Sequence, residues 1–236
     1  MTLEDVVLAG AWFTQDVLNF DNLPDSVEIR GELATRMVVC TLAKAPPVQG
    51  GVGDVWVKRP TEYGGNIAWL GDLAKLQLGM IQQGSEDEVN HIWPGGSIID
   101  AEHNRFAVGT FHTHPYTNSN ATAGFSPEDI ASMLSNKDEV ISLVQSFTTL
   151  YLLVRTQQTN PAQSKLITSQ FLNYLGRAME SIKEENPNWQ INPTLNVFTE
   201  GMTHTIAASS NVCRLGFYKG MNPPPGGDVS LRRVYS

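Results

Sequence analysis

The sequence is poor in cysteine, in positive charge and in long apolar runs, and each shortage argues against a class of protein. Its 236 residues include two cysteines, Cys40 and Cys213. Neither belongs to a Cys-x-x-Cys pair, so the sequence predicts no disulfide framework and no zinc knuckle. Lysine and arginine number 16 against 24 acidic residues, which gives a net charge of −8. That balance argues against non-specific binding to nucleic acid.

The sequence leads us to expect neither a membrane-spanning nor a secretory segment. No apolar run approaches the roughly 18 residues that a membrane-spanning helix needs. The first residues, Met1-Thr2-Leu3-Glu4-Asp5, are acidic where a secretory signal would be basic. We therefore expect a cytoplasmic protein with no membrane partner, and we leave open its export by a dedicated secretion system.

The hydrophobic content of 41% is sufficient for a core, and the pattern along the chain divides into three zones. Residues 1–54 are predicted to form a helical extension, with a helix from Glu28 to Leu42. Residues 55–156 form the core zone. Residues 157–236 begin with a polar linker and a helix from Lys165 to Glu185, whose apolar residues recur at helical spacing, and continue with short strands. We expect an α/β fold with a mixed sheet and helical extensions at both termini.

Short β-branched and apolar runs predict the strands of the core zone. These runs are Val55–Val57, Asn66–Leu70, Ser97–Asp100, Phe106–Thr113, Ile141–Ser146 and Leu150–Arg155. A short helix is predicted over Pro127–Leu134, between the fourth and fifth of these runs. Two further apolar runs, Leu215–Tyr218 and Leu231–Tyr235, follow in the third zone.

The most informative motif, His112-Thr113-His114-Pro115, ends the strand that begins near Phe106. Side chains of a strand alternate between its faces, so His112 and His114 point the same way. Pro115 ends the strand because it has no N–H to donate. A His-x-His pair is most often two ordinary polar residues, but at a strand end it also forms half of a zinc site.

A second motif, Ser126-Pro127-Glu128-Asp129, has the residues of a helix start, with Ser as N-cap and Pro in the first turn. Alone it is a common helix cap. After the two histidines, however, Asp129 offers a carboxylate as third ligand. Two histidines and one acid leave a fourth tetrahedral position for water, as in catalytic zinc sites.

The combination resembles the JAMM (MPN+) family of zinc metalloproteases, in which His-x-His-Pro is followed by a short loop and Ser-x-x-Asp. The family also has an upstream glutamate, which Glu62 in Pro60-Thr61-Glu62-Tyr63-Gly64-Gly65 matches. The resemblance implies that His112, His114 and Asp129 bind one Zn²⁺ per chain. It also implies a mixed sheet of the JAB/MPN (cytidine-deaminase-like) type. It extends from Glu62 to Arg155, less than half of the chain.

The same resemblance implies two catalytic roles, with Glu62 as general base and Ser126 as a hydroxyl that stabilises the tetrahedral intermediate. The rival glutamates Glu86, Glu88 and Glu102 lie in sequences typical of exposed turns. His91, His103 and His204 lack a neighbouring acid in a comparable motif, and we expect them to be structural.

The loop between the two motifs departs from the family pattern. Ten residues, Tyr116 to Phe125, separate Pro115 from Ser126, several more than the family leads us to expect. The cost of closing a flexible loop grows slowly with its length. The departure therefore affects substrate contacts more than metal ligands, and we expect this loop to contact the substrate.

We expect zinc-dependent hydrolysis of a peptide or isopeptide bond. Family members often remove ubiquitin-like modifiers, so a ubiquitin-like protein is the first substrate class to consider, with other peptides and cell-wall fragments left open. Two alternatives stay open: a catalytically silent binding or scaffold protein of the same fold, and a secreted effector or toxin-type hydrolase with a non-ubiquitin substrate. A zinc deaminase would need a Pro-Cys-x-x-Cys pair, which is missing. The oligomeric state is not predicted.

Overall fold

The structure is a computed structural model. It describes residues 1–10, 18–34, 37, 62–84, 98–100, 104–114, 124–146, 149–192, 195–221 and 227–235. Some of the sequence-based expectations lie outside these residues: the strand over Val55–Val57, the turns of Glu86, Glu88 and Glu102, the roles of His91 and His103, and residues 116–123 of the long loop.

The described strands are β1 (Ser26–Ile29), β2 (Tyr63–Leu70), β3 (Lys75–Leu78), β4 (Gln82–Gln83), β5 (Ile98–Asp100), β6 (Arg105–His114), β7 (Ile141–Ser146), β8 (Thr149–Arg155), β9 (Leu215–Met221) and β10 (Val229–Arg233). The helices are α1 (Leu3–Gly10), α2 (Pro127–Ser135), α3 (Ser164–Glu185) and α4 (Val197–Cys213). Residues 31–34 are also helical.

All of these strands belong to one mixed sheet, in the order β1-β10-β9-β8-β7-β6-β2-β3. Strand β4 pairs with β2, and β5 pairs with β6. The β6–β7 pair is parallel, whereas the others are antiparallel. The expected α/β fold with a mixed sheet is therefore confirmed, and β6, which carries the histidine motif, lies inside the sheet.

The predicted helix over Glu28–Leu42 is wrong at its start, because Ser26–Ile29 forms strand β1. Val27 and Ile29 are buried while Glu28 between them is exposed, which is the two-residue period of a strand. Val27 pairs with Leu231 of β10. This long-range pairing joins the N-terminal zone to the C-terminal strands, and a local pattern does not show it.

Helix α4 was not predicted from the sequence. Its residues include several Thr, Ser and Gly with weak helix propensity. Asn196 caps it, since its side chain accepts a hydrogen bond from the Thr199 N–H. The buried face packs against α3 and β9. Packing therefore stabilises this helix where propensity does not.

The sheet carries a hydrophobic core on each face. One core contains Phe111 of β6 together with residues of α1 and β1. The other contains Val144 of β7 and residues of α2, α3 and α4. Because β6 residues alternate between faces, His112 lies on the side of α2, opposite Phe111. No helix in these described ranges is long and apolar enough to cross a membrane.

The parallel β6–β7 pair requires glycine at position 109. A Cβ on Gly109 would lie 2.3 Å from the Ile141 carbonyl oxygen and 2.4 Å from Ile141 Cγ1. We expect Gly109→Ala to lower the free energy of unfolding by about 1–3 kcal/mol, as overpacking typically does. Urea unfolding measures the change.

Gly176 provides the matched control, because it is exposed on α3 and a Cβ there would meet no atom within 4 Å. Gly176→Ala should stabilise the protein by about 0.5–1 kcal/mol, since alanine favours a helix. A Gly109→Ala protein as stable as the wild type would contradict the close approach of β6 to β7.

Candidate metal centre

The end of β6 presents two imidazole rings to the α2 side of the sheet. His112 and His114 lie two residues apart on β6, and their Nε2 atoms are 3.2 Å from each other. His112 is 5% exposed. The parallel partner of His112 is Val144 on β7, which is fully buried. The predicted juxtaposition of the two rings is therefore confirmed.

Asp129 reaches the histidines from the first turn of α2. The Ser126 hydroxyl oxygen accepts a hydrogen bond from the Asp129 N–H at 3.1 Å, and Asp129 Oδ2 accepts one from the Ser126 N–H at 2.7 Å. These reciprocal hydrogen bonds form a capping box that fixes the carboxylate. Asp129 Oδ1 lies 3.2 Å from His112 Nε2, and Oδ2 lies 3.5 Å from His114 Nε2.

These three side chains can hold a metal ion. One ligand atom from each of His112, His114 and Asp129 lies within 4.8 Å of the other two. The two Nε2 atoms are 3.2 Å apart, Asp129 Oδ1 lies 3.2 Å from His112 Nε2, and Asp129 Oδ2 lies 3.5 Å from His114 Nε2. The three side chains therefore lie close enough together to bind a metal ion.

A second carboxylate lies beside the histidines. Glu62 directly precedes β2 and is 8% exposed, and its Oε1 lies 3.8 Å from His114 Nε2. The antiparallel β2–β6 pair brings it there, since Gly64 pairs with His112. Two hydrogen bonds hold the backbone: the Tyr63 N–H donates to Thr113 Oγ1, and the Gly84 N–H donates to the Glu62 carbonyl oxygen. Glu62 lies beside the histidines, as predicted. The role of Glu62 as general base stays a prediction.

The carboxylates alter the protonation of the histidine site. Burial opposes the charged form of His112, but Asp129 and then Glu62 outweigh that penalty and raise its pKa above the usual 6.5. Burial also opposes the charge of Asp129, yet His112 and His114 hold the pKa of its carboxyl well below the usual value. Without a metal, the site therefore favours a proton on His112 beside an ionised Asp129.

Another buried acid, Glu139, is hydrogen-bonded to the strand that carries the histidines, and it was missed in the sequence. It is 3% exposed, and its Oε1 accepts a hydrogen bond from Thr110 Oγ1 at 2.5 Å. Thr110 Oγ1 also lies 3.0 Å from the Ser142 hydroxyl. Burial raises the pKa of Glu139 to about 7, although its hydrogen bond with Thr110 and the charge of Arg155 oppose that rise. In the sequence, the signal for Glu139 is its position two residues before Ile141, the start of a predicted strand.

Arg155 of β8 holds the segment between α2 and β7. Its Nε donates to the Glu139 carbonyl oxygen at 2.7 Å, and its Nη2 donates to the carbonyl oxygens of Met133 and Asn136. Unpaired carbonyls at a helix end need such partners. Arg155 therefore fixes the C-terminal end of the helix that carries Asp129.

His204, which we expected to be structural, is exposed on α4. Among the described residues it belongs to no group of possible metal ligands. Its environment thus differs from the buried environment of His112.

Comparison of this chain with protein-family models, with curated proteins and with solved structures found no match. The chemistry of the site is therefore inferred from its own residues. Two imidazoles and a fixed carboxylate can bind a metal ion, and a second carboxylate lies beside them.

The raised pKa of His112 predicts competition between a proton and a metal. Imidazole binds a metal in its neutral form. We expect the stabilisation by added Zn²⁺ to grow as the pH rises through the raised pKa of His112. Melting temperatures measured with and without Zn²⁺ from about pH 5 to 8 test this. His112→Gln should abolish the zinc effect, and a zinc effect independent of pH would contradict the competition.

The metal-free protein should show the opposite trend with pH. A group whose pKa is raised by folding stabilises the fold below its unfolded pKa and loses that contribution as the pH rises through its folded pKa. His112 and Glu139 are both such groups. The melting temperature without metal should therefore fall as the pH rises across the same range.

Proposed function

We propose that this protein is a zinc-dependent peptidase of the JAMM (MPN+) type that hydrolyses a peptide or isopeptide bond. The observation that supports this best is the convergence of four side chains from three separate elements. His112 and His114 come from β6, Asp129 from the capped start of α2, and Glu62 from the residue before β2. A JAB/MPN-type sheet belongs to the same proposal.

Two histidines and one carboxylate are the protein ligands of one type of catalytic zinc site, in which water takes the fourth position. The same ligand types also form the facial triad of non-haem iron sites. A second carboxylate beside the ligands, that of Glu62, suits zinc-assisted hydrolysis, which needs a general base. One zinc per chain, bound by His112, His114 and Asp129, is the proposed cofactor.

When bound, zinc would polarise the scissile carbonyl and lower the pKa of a coordinated water toward about 7. Glu62 is the proposed proton carrier. Its Oε1 lies 3.8 Å from His114 Nε2, and two hydrogen bonds hold the peptide group between Glu62 and Tyr63. As general base, Glu62 would take the proton of the attacking water and pass it to the leaving amine.

Ser126 is the proposed donor to the developing oxyanion. Its hydroxyl oxygen accepts a hydrogen bond from the Asp129 N–H, and this leaves the hydroxyl proton for donation. The capping box also holds the hydroxyl next to the ligand Asp129. A fixed donor at the developing negative charge lowers the barrier more than a mobile one.

The proposed substrate is a protein or peptide, with a ubiquitin-like modifier as the first candidate. Two alternatives share the same fold and metal site: a silent binding or scaffold protein, and an effector or toxin-type hydrolase acting on a different substrate. The presence of Glu62 beside the ligands favours an active site over a silent one. Hydrolysis assays on isopeptide-linked ubiquitin-like substrates and on linear peptides distinguish the proposed peptidase from these two alternatives.

The metal content of the purified protein tests the proposed site. Protein purified without added metal should contain close to one zinc per chain. His112→Ala or His114→Ala should remove most of it, because each deletes one of three protein ligands. Elemental analysis measures the content. Full zinc content in both variants would refute the site.

Substitutions of the two carboxylates distinguish the general base from the metal ligands. Glu62→Gln cannot accept a proton, so hydrolysis should fall by about 10²–10⁴-fold while the zinc content stays near that of the wild type. Asp129→Asn should instead weaken zinc retention, because a neutral amide is a poorer ligand than a carboxylate. Zinc content and turnover, measured on the same preparations, test both.

Glu128→Gln is the matched control, because Glu128 is the exposed neighbour of Asp129 in the same helical turn. It should change neither zinc content nor turnover by more than a few-fold. Loss of zinc from Glu62→Gln would make Glu62 a ligand. Full activity in that variant would assign the base to another residue.

A further inference from the structure

We propose that Glu139 is a positioning residue of the metal centre, whose carboxylate, held by Thr110 on the face of β6 that carries His112, strengthens the binding of a divalent cation. This inference rests on the proposed metal site of His112, His114 and Asp129. It concerns an acid that the proposed mechanism does not use.

The first observation is the alignment of Thr110 with the metal ligands. Three polar residues occupy every second position of β6 and therefore share one face of the strand: Thr110, His112 and His114. The parallel β7 strand places Ser142 directly beside Thr110 and Ser146 beside His114. A buried row of polar residues thus continues from the ligands into the interior of the sheet.

The second observation is that Thr110 holds the Glu139 carboxylate. The Thr110 hydroxyl donates its one proton to Glu139 Oε1 at 2.5 Å. Thr110 Oγ1 also lies 3.0 Å from the Ser142 hydroxyl, and Ser142 is a second hydrogen-bond partner of the Glu139 carboxyl. Thr110, Ser142 and Glu139 are 8%, 3% and 3% exposed. The acid therefore has a fixed position and almost no contact with water.

The third observation concerns the positive charges around Glu139. Arg155 uses its hydrogen bonds on the backbone carbonyls of Met133, Asn136 and Glu139 itself. It therefore lies near this carboxylate without being its hydrogen-bond donor. The charge of His112 also acts on Glu139. A divalent cation bound by His112 would add positive charge on that side, and a buried carboxylate is stabilised by such charge.

Removing a carboxylate that hydrogen-bonds a metal ligand typically lowers metal affinity about 10–100-fold. Glu139 bonds Thr110 and would act on the metal through its charge, so its removal should have a smaller effect. Glu139→Gln keeps the size and the acceptor for Thr110 but removes the charge. We therefore expect the affinity for Zn²⁺ and for Co²⁺ to fall about 3- to 10-fold. Competition with a chelator, on full-length protein first freed of metal, measures this.

The stability of the metal-free protein distinguishes positioning from mere structural support. Burying a neutral amide costs less than burying a carboxylate, so metal-free Glu139→Gln should melt at the same temperature as the wild type or higher. A structural role would instead lower the melting temperature of the metal-free protein together with the metal affinity. That result would overturn the inference.

Two further variants provide controls. Glu4 of α1 is also a buried acid, at 6% exposed, and it packs beside the other core. Glu4→Gln should therefore leave metal affinity unchanged. Thr110→Val removes the hydroxyl that holds Glu139 and should weaken metal binding, whereas Thr110→Ser keeps it and should bind like the wild type.

The outcomes separate this inference from the proposed function. If the wild type binds Zn²⁺ and Glu139→Gln binds it equally well, Glu139 has no part in the metal site, and the zinc proposal stands. If the wild type binds neither Zn²⁺ nor Co²⁺, the proposed function itself is overturned, and this inference with it. Equal affinity in Thr110→Val and Thr110→Ser would also overturn the inference.

Discussion

The pair of hydrogen bonds between Ser126 and Asp129 is the interaction on which the site depends. A carboxylate in the first turn of a helix can adopt several rotamers, and most of them do not point toward a neighbouring strand. The capping box removes that freedom, because Asp129 Oδ2 accepts the Ser126 N–H while Oδ1 faces His112. The same hydrogen bonds cap the start of α2. The interactions that begin the helix therefore also orient the Asp129 carboxylate.

The sheet supplies the second half of the geometry. The alternation of β6 places both histidines on the α2 side, and the antiparallel neighbour β2 brings Glu62 beside His114. Arg155 fixes the far end of α2 through backbone carbonyls. The ligand-bearing elements are thus held from several directions without a metal, which reduces the ordering that a metal would have to impose.

Local sequence patterns predicted the features of the site that depend on a few neighbouring residues. The pairing of His112 with His114 follows from the strand period, and the cap at Ser126 from the residues of the first turn. Glu139 was missed because Thr110, the residue that holds its carboxylate, lies 29 residues earlier, on β6. Strand β1 was predicted as helix because its partner, β10, lies at the other end of the chain. Packing, which a local pattern does not contain, also accounts for α4.

We propose that His112, His114 and Asp129 form a tetrahedral zinc site with one position left for water. X-ray absorption at the zinc edge of the zinc-loaded protein reports ligand type, number and distance. A site of this kind should show four ligands, two of them imidazoles, with bond lengths of about 2.0–2.1 Å and no sulfur. A six-coordinate shell of oxygen atoms, or fewer than two imidazoles, would contradict it.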